Sequence, residues 1–318
     1  MTDVSFWQGK RVLVTGGAGF IGSAVVDHLV RVCRVPRDNV VVPRSAQDDL
    51  RVFENAFRVS EGVHVLIHLA AVTGGIEYSR NRPASQYRDS TLIDLNVVEA
   101  ARARGVQRLV AIGNLFAYGA DAPIPLREET LFDGLPGASH RGAGWMKRNL
   151  ALVADLYQRE YGLGLTVVFS ANAYGPRDSL DPSYGHVIPA TIMKCLRDAE
   201  LLVWGDGSPT RDFLFVDDIA RGLVLAAERL TGGSFVNIGS GRELSIRELV
   251  AHIAHATDFA GPVRFDASRA GGDPRRVADI GRAGDLLGYE PLVSIEEGLH
   301  RTVQWYRAQL GFPVQANA

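Results

Sequence analysis

The sequence predicts an α/β fold, a Rossmann-like doubly wound parallel sheet with a smaller C-terminal substrate-binding lobe. Three observations carry this. β-branched runs alternate with helix-patterned segments through the first half of the chain, which is the pattern of parallel βαβ units. A glycine-rich turn, Gly16–Gly22, lies between the first strand and the first helix. From Tyr174 onward the segments shorten and Gly, Pro and Asp interrupt them.

The elements follow in order. RVLVT, Arg11–Thr15, reads as the first strand, and a helical pattern follows the glycine turn through about Arg34. NVVV from Asn39 is the second strand and VHVLIHLA, Val63–Ala70, the third. A long helix is expected over Gln86–Arg104, then the strand VQRLVAI from Val106. Leu150, Val153, Ala154 and Tyr157 recur at helical spacing and predict a helix over Gly144–Tyr161, followed by the strand LTVVFS from Leu165. Further on, short strands are expected at Leu201–Trp204 and Ser234–Ile238, with helices near Asp217–Arg229, Ser245–His255 and Ser294–Gln309. The expected division is a dinucleotide-binding domain over 1–175 and a substrate lobe over 176–318, interleaved so that some segments return to the first. The tail Phe312–Ala318 is expected to fray.

A chain of 318 residues can bury a sizeable core, and 46 % apolar with 22 % charged residues is the balance of a globular protein. Lys+Arg is 34 against Asp+Glu 36, a net charge of −2, so nothing draws the whole chain toward nucleic acid or anionic lipid. Two cysteines, Cys33 and Cys195, make neither a disulfide framework nor a zinc site and suit a reducing cytosol. No h-region and no apolar run near the roughly 20 residues of a membrane span stand out, so a cytoplasmic protein is expected. His252 and His255, three apart on a helix, lack further ligands, and no metal is expected.

Residues 15–22 read TGGAGFIG, with Gly16, Gly19 and Gly22 each three apart. Between a strand and a helix, such glycines permit a tight turn, a close approach of a pyrophosphate and close helix–strand packing. The helix N-terminus, beginning at Phe20 and Ile21, offers free N–H groups to the anion. After the second strand the first charged residue is Arg44, with no acid before it, which favours NADP over NAD as cofactor. Arg44 also reads as a solvated loop arginine, and NAD stays the alternative. Asp49 and Leu50 would lie beside the adenine.

TGGAGFIGS together with HLAA at the end of the third strand resembles the extended short-chain dehydrogenase/reductase family, whose members mostly act on nucleotide sugars. YGP at Tyr174–Pro176, WGDGSPTRDFLFVDDIA at Trp204–Ala220 and LGYEP at Leu287–Pro291 extend the resemblance over nearly the whole chain. HLAAVTGGI at His68–Ile76, GSPTRDFLFVDD and SYGHVIPATIMKCL at Ser183–Leu196 are similar to the GDP-fucose synthase group, the GDP-4-keto-6-deoxymannose epimerase/reductases. The resemblance implies cofactor contacts at Gly16, Gly19, Phe20, Ile21, Gly22, Leu69, Ala70, Ala71 and Asn172, and a GDP-linked sugar as substrate. It implies a homodimer through the helices around Gln86–Arg104 and Gly144–Tyr161.

The catalytic positions depart from the family. Where it carries Tyr-x-x-x-Lys this chain reads AGWMK, so Lys147 is kept and Ala143 stands in the tyrosine position. The serine positions are Asn114 and Leu115, and the place of the group's acidic cysteine is Phe116. His186 matches the histidine of the HVIP segment, expected on a substrate-facing loop. The resemblance thus assigns proton transfer to His186, cofactor and sugar-oxygen positioning to Lys147 and Asn114, and the diphosphate to Lys194 and Arg211. Asn114 can donate a hydrogen bond but cannot shuttle a proton. His186 also reads as a hydrogen-bonded loop histidine and Lys147 as a surface helix lysine. Trp204 packs near the base or in the core, and Arg275 with Arg276 reaches a phosphate or stays solvated. His140, just upstream of Ala143, and Tyr78 are candidate replacements for the lost acid. The expected activity is epimerisation or another keto-sugar step on a nucleotide sugar. The alternatives are a non-catalytic NADP-binding protein and an oxidoreductase on another small molecule.

Overall fold

The computed structural model describes residues 2–72, 74, 76–181, 186–269 and 274–314. Its centre is a parallel six-stranded sheet. In chain order the strands are β1 (Val12–Thr15), β2 (Val40–Val41), β3 (Val65–His68), β4 (Arg108–Asn114) and β5 (Leu165–Ser170), followed by β6 (Asn172–Tyr174), β7 (Leu201–Trp204), β8 (Thr210–Arg211), β9 (Phe213–Phe215), β10 (Ser234–Ile238), β11 (Leu244–Ser245), β12 (Val263–Asp266) and β13 (Arg275–Arg276). The main sheet runs β10-β5-β4-β3-β1-β2; β11-β8-β13, β12-β7 and β6-β9 form three small sheets. The helices are α1 (Val4–Trp7), α2 (Phe20–Arg31), α3 (Phe53–Val59), α4 (Ile76–Asn81), α5 (Pro83–Ala103), α6 (Arg141–Tyr161), α7 (Val187–Arg197), α8 (Val216–Arg229), α9 (Ile246–Ala256), α10 (Gly281–Leu287) and α11 (Ile295–Leu310).

Strands β1, β3 and β5 are buried along their whole length, as expected of a sheet covered on both faces. Helix α2 packs on α8, and α5 packs on α3 and α6, giving two helix layers. Ser234–Ile238, read from sequence as a strand of the C-terminal region, pairs in parallel with β5 over Ser234↔Thr166 to Ile238↔Ser170 and is the sixth strand of the main sheet. A second core joins Ile188 and Ile192 of α7 to Leu201, Phe215, Leu249, Ile253, Leu299 and Tyr306. Ile21 and Ala24 of α2 touch both cores, so the helix behind the glycine loop is the seam between them.

Helices α1, α3, α4 and α10 are not expected from sequence, α6 begins at Arg141 rather than Gly144, and two further departures bear on the site. The HVIP segment is no loop beyond His186: α7 begins at Val187, because Ile188, Thr191, Ile192 and Cys195 all face the second core. Pro189 falls in its first turn, where no intrahelical bond is lost. The long helix begins at Pro83 rather than Gln86, with proline at its first position, the place the ring tolerates. Gln315–Ala318 of the expected frayed tail, and Thr73 and Gly75 of the VTGG segment, lie outside the described residues, as do Ser183–Gly185 ahead of His186.

The strand order reverses at β1, which has β2 on one side and β3 on the other. A hydrogen-bonded chain fastens that point. Thr15 Oγ1 accepts from the amides of Leu69 and Ala70 at 3.1 and 3.2 Å and lies 2.7 Å from His68 Nδ1. With its lone pairs engaged, the hydroxyl directs its proton at Nδ1, so Nε2–H donates to Asp94 of α5, 2.9 Å away. His68 and Asp94 are each 2 % exposed. Asp94→Ala leaves a buried ring nitrogen unpaired and is expected to cost about 1–3 kcal/mol, read as a lowered urea midpoint with an unchanged slope.

Candidate active site

Crevices at the carboxyl ends of strands around such a reversal are where open α/β sheets bind ligands. Here the crevice opens on the glycine loop. Gly16 has φ +68°, and a Cβ there would stand 2.9 Å from the Ala70 nitrogen; a Cβ on Gly22 would stand 2.1 Å from the Gly16 carbonyl oxygen. Both positions therefore exclude any side chain, and the loop lies close against Leu69 and Ala70. Gly19 is the N-cap of α2 and no side chain caps the helix, so the first-turn N–H groups after Phe20 and Ile21 remain for an anion.

Arg44 is exposed and its guanidinium has no partner among the described residues. Its amide donates to Asp48, which pairs with Arg58 at 3.0 Å. Asp49 is held by Arg51 at 2.7 Å, and hydrogen bonds from that guanidinium hold its carboxyl below the usual range. Leu50 is buried beside it. The loop, Arg44 and Leu50 thus offer donors, a free cation and an apolar wall, a donor set that fits a dinucleotide carrying a 2′-phosphate.

Asn114 ends β4 opposite Ser170 of β5, and its Oδ1 accepts from the Phe116 amide at 3.1 Å, which turns the chain into a short 3-10 turn, Leu115–Ala117. Lys147 of α6 is 5 % exposed and has no hydrogen-bond partner among the described residues. A long apolar stem buried in this way can present its ammonium to a ligand. Ala143 lies one turn earlier on the same face of α6, at the edge of a cavity of about 190 Å³. Asn172 begins β6, its amide and Nδ2 both donating to the Asp212 carbonyl at 3.0 and 3.1 Å.

His186 is the N-cap residue of α7, and its side chain is 57 % exposed. Nδ1 lies 3.3 Å from Asp178 Oδ2, a carboxylate only 5 % exposed. That hydrogen bond, against the opposing effect of burial, raises the His186 pKa above the ordinary histidine value. Asp178 was not legible in sequence: it lies eight residues before His186 with no fixed motif spacing.

The remaining candidates gather on the lobe. Lys194 donates to the Leu202 carbonyl of β7 at 2.8 Å. Trp204 is 60 % exposed with the Arg269 guanidinium 5.2 Å from its ring, so it is not a core residue. Arg211 lies on β8, beside β13 with Arg275. Arg275 is bound bidentately by Glu243 at 2.6 Å, which holds the Glu243 carboxyl down at about 2. Arg276 is not solvated: it is 1 % exposed and donates to the Gly119 carbonyl. Among the described residues no group of three His, Cys, Asp or Glu could hold a metal, and no helix is long and apolar enough to cross a membrane.

Replacing Asp178 by Asn removes the charge that favours the imidazolium. The His186 pKa should fall toward about 6.5, seen as an acid-ward shift of its imidazole resonance in an NMR titration. The pair's contribution to stability is fully present below the unfolded histidine pKa and is lost as pH rises through the raised folded one, so wild type and variant should converge in stability at high pH.

Comparison with known proteins bears on this arrangement. The model of the NAD dependent epimerase/dehydratase family matches residues 12–239. A GDP-L-fucose synthase of Sinorhizobium fredii is 33 % identical over 304 residues, covering 93 % of this chain and 95 % of that protein. The Escherichia coli K12 GDP-L-fucose synthase is 31 % identical over 93 % of this chain and 96 % of its own. A solved GDP-L-fucose synthetase of Naegleria fowleri bound to NADP superposes with a TM-score of 0.87 at 25 % identity, covering 97 % of this chain and 96 % of that one. With a glycine cradle, a reversed strand order, a family model matched over residues 12–239 and a relative covering 93 % of it, the chain belongs to the NAD dependent epimerase/dehydratase family.

Proposed function

We propose that this chain is an NADP-dependent enzyme that epimerises or reduces a nucleotide-activated keto-sugar, most directly a GDP-sugar. The observation that carries the reading is Lys147, a buried lysine with no hydrogen-bond partner among the described residues, four residues after Ala143 on α6. The relatives named GDP-L-fucose synthase, and the one solved with NADP, support the cofactor and the substrate class.

In this reading Gly16, Gly19, Phe20, Ile21 and Gly22 hold the pyrophosphate, Arg44 the 2′-phosphate, Asp49 and Leu50 flank the adenine, and Leu69, Ala70, Ala71 and Asn172 line the path to the nicotinamide. The bound nicotinamide supplies or accepts a hydride at the sugar carbon. Lys147 binds the ribose and Asn114 donates to the sugar oxygen. His186, with Asp178 behind it, moves a proton at the carbon next to the carbonyl. Lys194 and Arg211 hold the substrate diphosphate, Trp204 covers the base, and Arg275 reaches the same anion once it leaves Glu243. The division into 1–175 and 176–318 follows, with α8 and β10 returning to the first part. The two free cysteines, both buried, suit a cytoplasmic enzyme.

A non-catalytic NADP-binding protein is the second reading, favoured by Ala143 and Asn114 in place of proton carriers. Incubation with GDP-, UDP- and dTDP-sugars and their 4-keto forms in deuterated water, with NADPH and mass spectrometry, separates the two. Deuterium uptake at carbon or reduction of a GDP-keto-sugar is expected, and His186→Asn should lower the deuterium uptake roughly 10²–10⁴-fold. Binding of both ligands without any mass change would instead support the second reading.

We also propose a homodimer through α5 and α6. Leu92 and Leu95 of α5, and Trp145, Leu152, Leu156 and Tyr161 of α6, are exposed by 39–50 % on outward faces, more apolar surface than two lone helices usually show. Leu152→Glu with Leu156→Glu should halve the mass seen by light scattering.

A further inference from the structure

The cavity at the start of α6 contains one group able to exchange a proton near neutral pH. Ser79, Gln86, Ser139, His140 and Ala143 are among its lining residues. His140 is 8 % exposed, and its ring lies flat on Phe116, with centroids 4.1 Å apart and planes 6° from parallel. Nδ1 is 2.9 Å from Ser139 Oγ. Phe116 belongs to the turn that Asn114 caps, and α6 packs on that turn. The imidazole is therefore stacked on the same turn that ends β4 at Asn114. Ala143 and Lys147, four residues apart, share one face of α6, and His140 is the residue that caps its first turn. Helix α4, with Tyr78, packs against Ala138–His140 and closes the other side.

We propose that His140 is the acid–base residue for the sugar oxygen, a catalytic role additional to that of His186. This rests on the reading that the chain transforms a nucleotide keto-sugar. As the carbonyl carbon receives hydride from a reduced nicotinamide dinucleotide, the C=O pair moves onto oxygen. That oxygen takes the proton of the His140 imidazolium. The ring is left neutral and is reprotonated from solvent; the dinucleotide is oxidised and the ketone becomes an alcohol. Stacking on Phe116 and the bond to Ser139 fix the ring plane, as a proton carrier in a buried site requires.

The test uses the full chain with NADPH and GDP-4-keto-6-deoxymannose. His140→Phe keeps a flat ring on Phe116 and removes only the nitrogens, and His140→Gln keeps a polar group. Both should lower kcat roughly 10²–10⁴-fold with little change in KM. NADPH and GDP affinities, read by fluorescence and calorimetry, should be unchanged. In the wild type, the His140 imidazole NMR signals should move when the GDP-sugar binds. Ala143→Tyr added to His140→Gln, which offers a phenol from the same cavity wall, should restore part of the rate. Full kcat in both single variants, or loss of rate in Tyr78→Phe instead, overturns the role of His140 while the functional reading stands. A wild type that binds no GDP-sugar, its His140 signals unmoved, overturns both.

Discussion

Everything in the crevice hangs on how β1 is joined to β3. The backbone ladder aligns Thr15 with His68, but the side chains do the fastening above it. One threonine hydroxyl takes two amides of the Leu69–Ala70 turn and gives its proton to His68, whose other nitrogen is anchored on α5. The Ala70 amide and both ring nitrogens of a buried histidine are satisfied at once. The result is a floor against which Gly16 can press without room for a methyl group. A dinucleotide phosphate laid on that floor meets fixed N–H groups that need not reorganise, which is the condition for strong electrostatic binding.

The two histidines proposed to move protons are organised differently. Neither histidine is held by the main sheet. His140 is fixed by a stack and a serine at the mouth of one helix, and His186 by a buried carboxylate at the cap of another. A phenol needs a nearby cation to act near neutral pH, since its ordinary pKa is about 10, whereas an imidazole is already close. In the proposed reading, with no phenol at Ala143 to tune, Lys147 has only to bind.

The glycine loop, the parallel strands and most helices were legible because each rests on a local rule: period, β-branching and glycine at fixed offsets. Val187–Arg197 was not, since a family likeness to a substrate-facing segment hid an apolar stripe that α7 buries. The partners of the site were harder. Asp94 is 26 residues from His68 and meets it only because α5 covers β3. Asp178 and Phe116 carry no periodic signal, and their meaning appears only when a loop folds back or two rings meet. Trp204 showed the limit of residue type alone, because an aromatic on an alternating strand can face either way, and here it faces water.

The late arrival of β10 has a consequence for how the chain is made. Asn237, fully buried, accepts from the Tyr118 hydroxyl, donates to the Leu126 carbonyl and, through its amide, to Glu128. These are bonds across more than a hundred residues, and β5 keeps a bare edge until Ser234–Ile238 reaches it. On the ribosome the first 175 residues would emerge with that edge open and a buried-type glutamate without its amide. Synthesis therefore passes through a window in which the β5 edge is unpaired and open to the wrong neighbour.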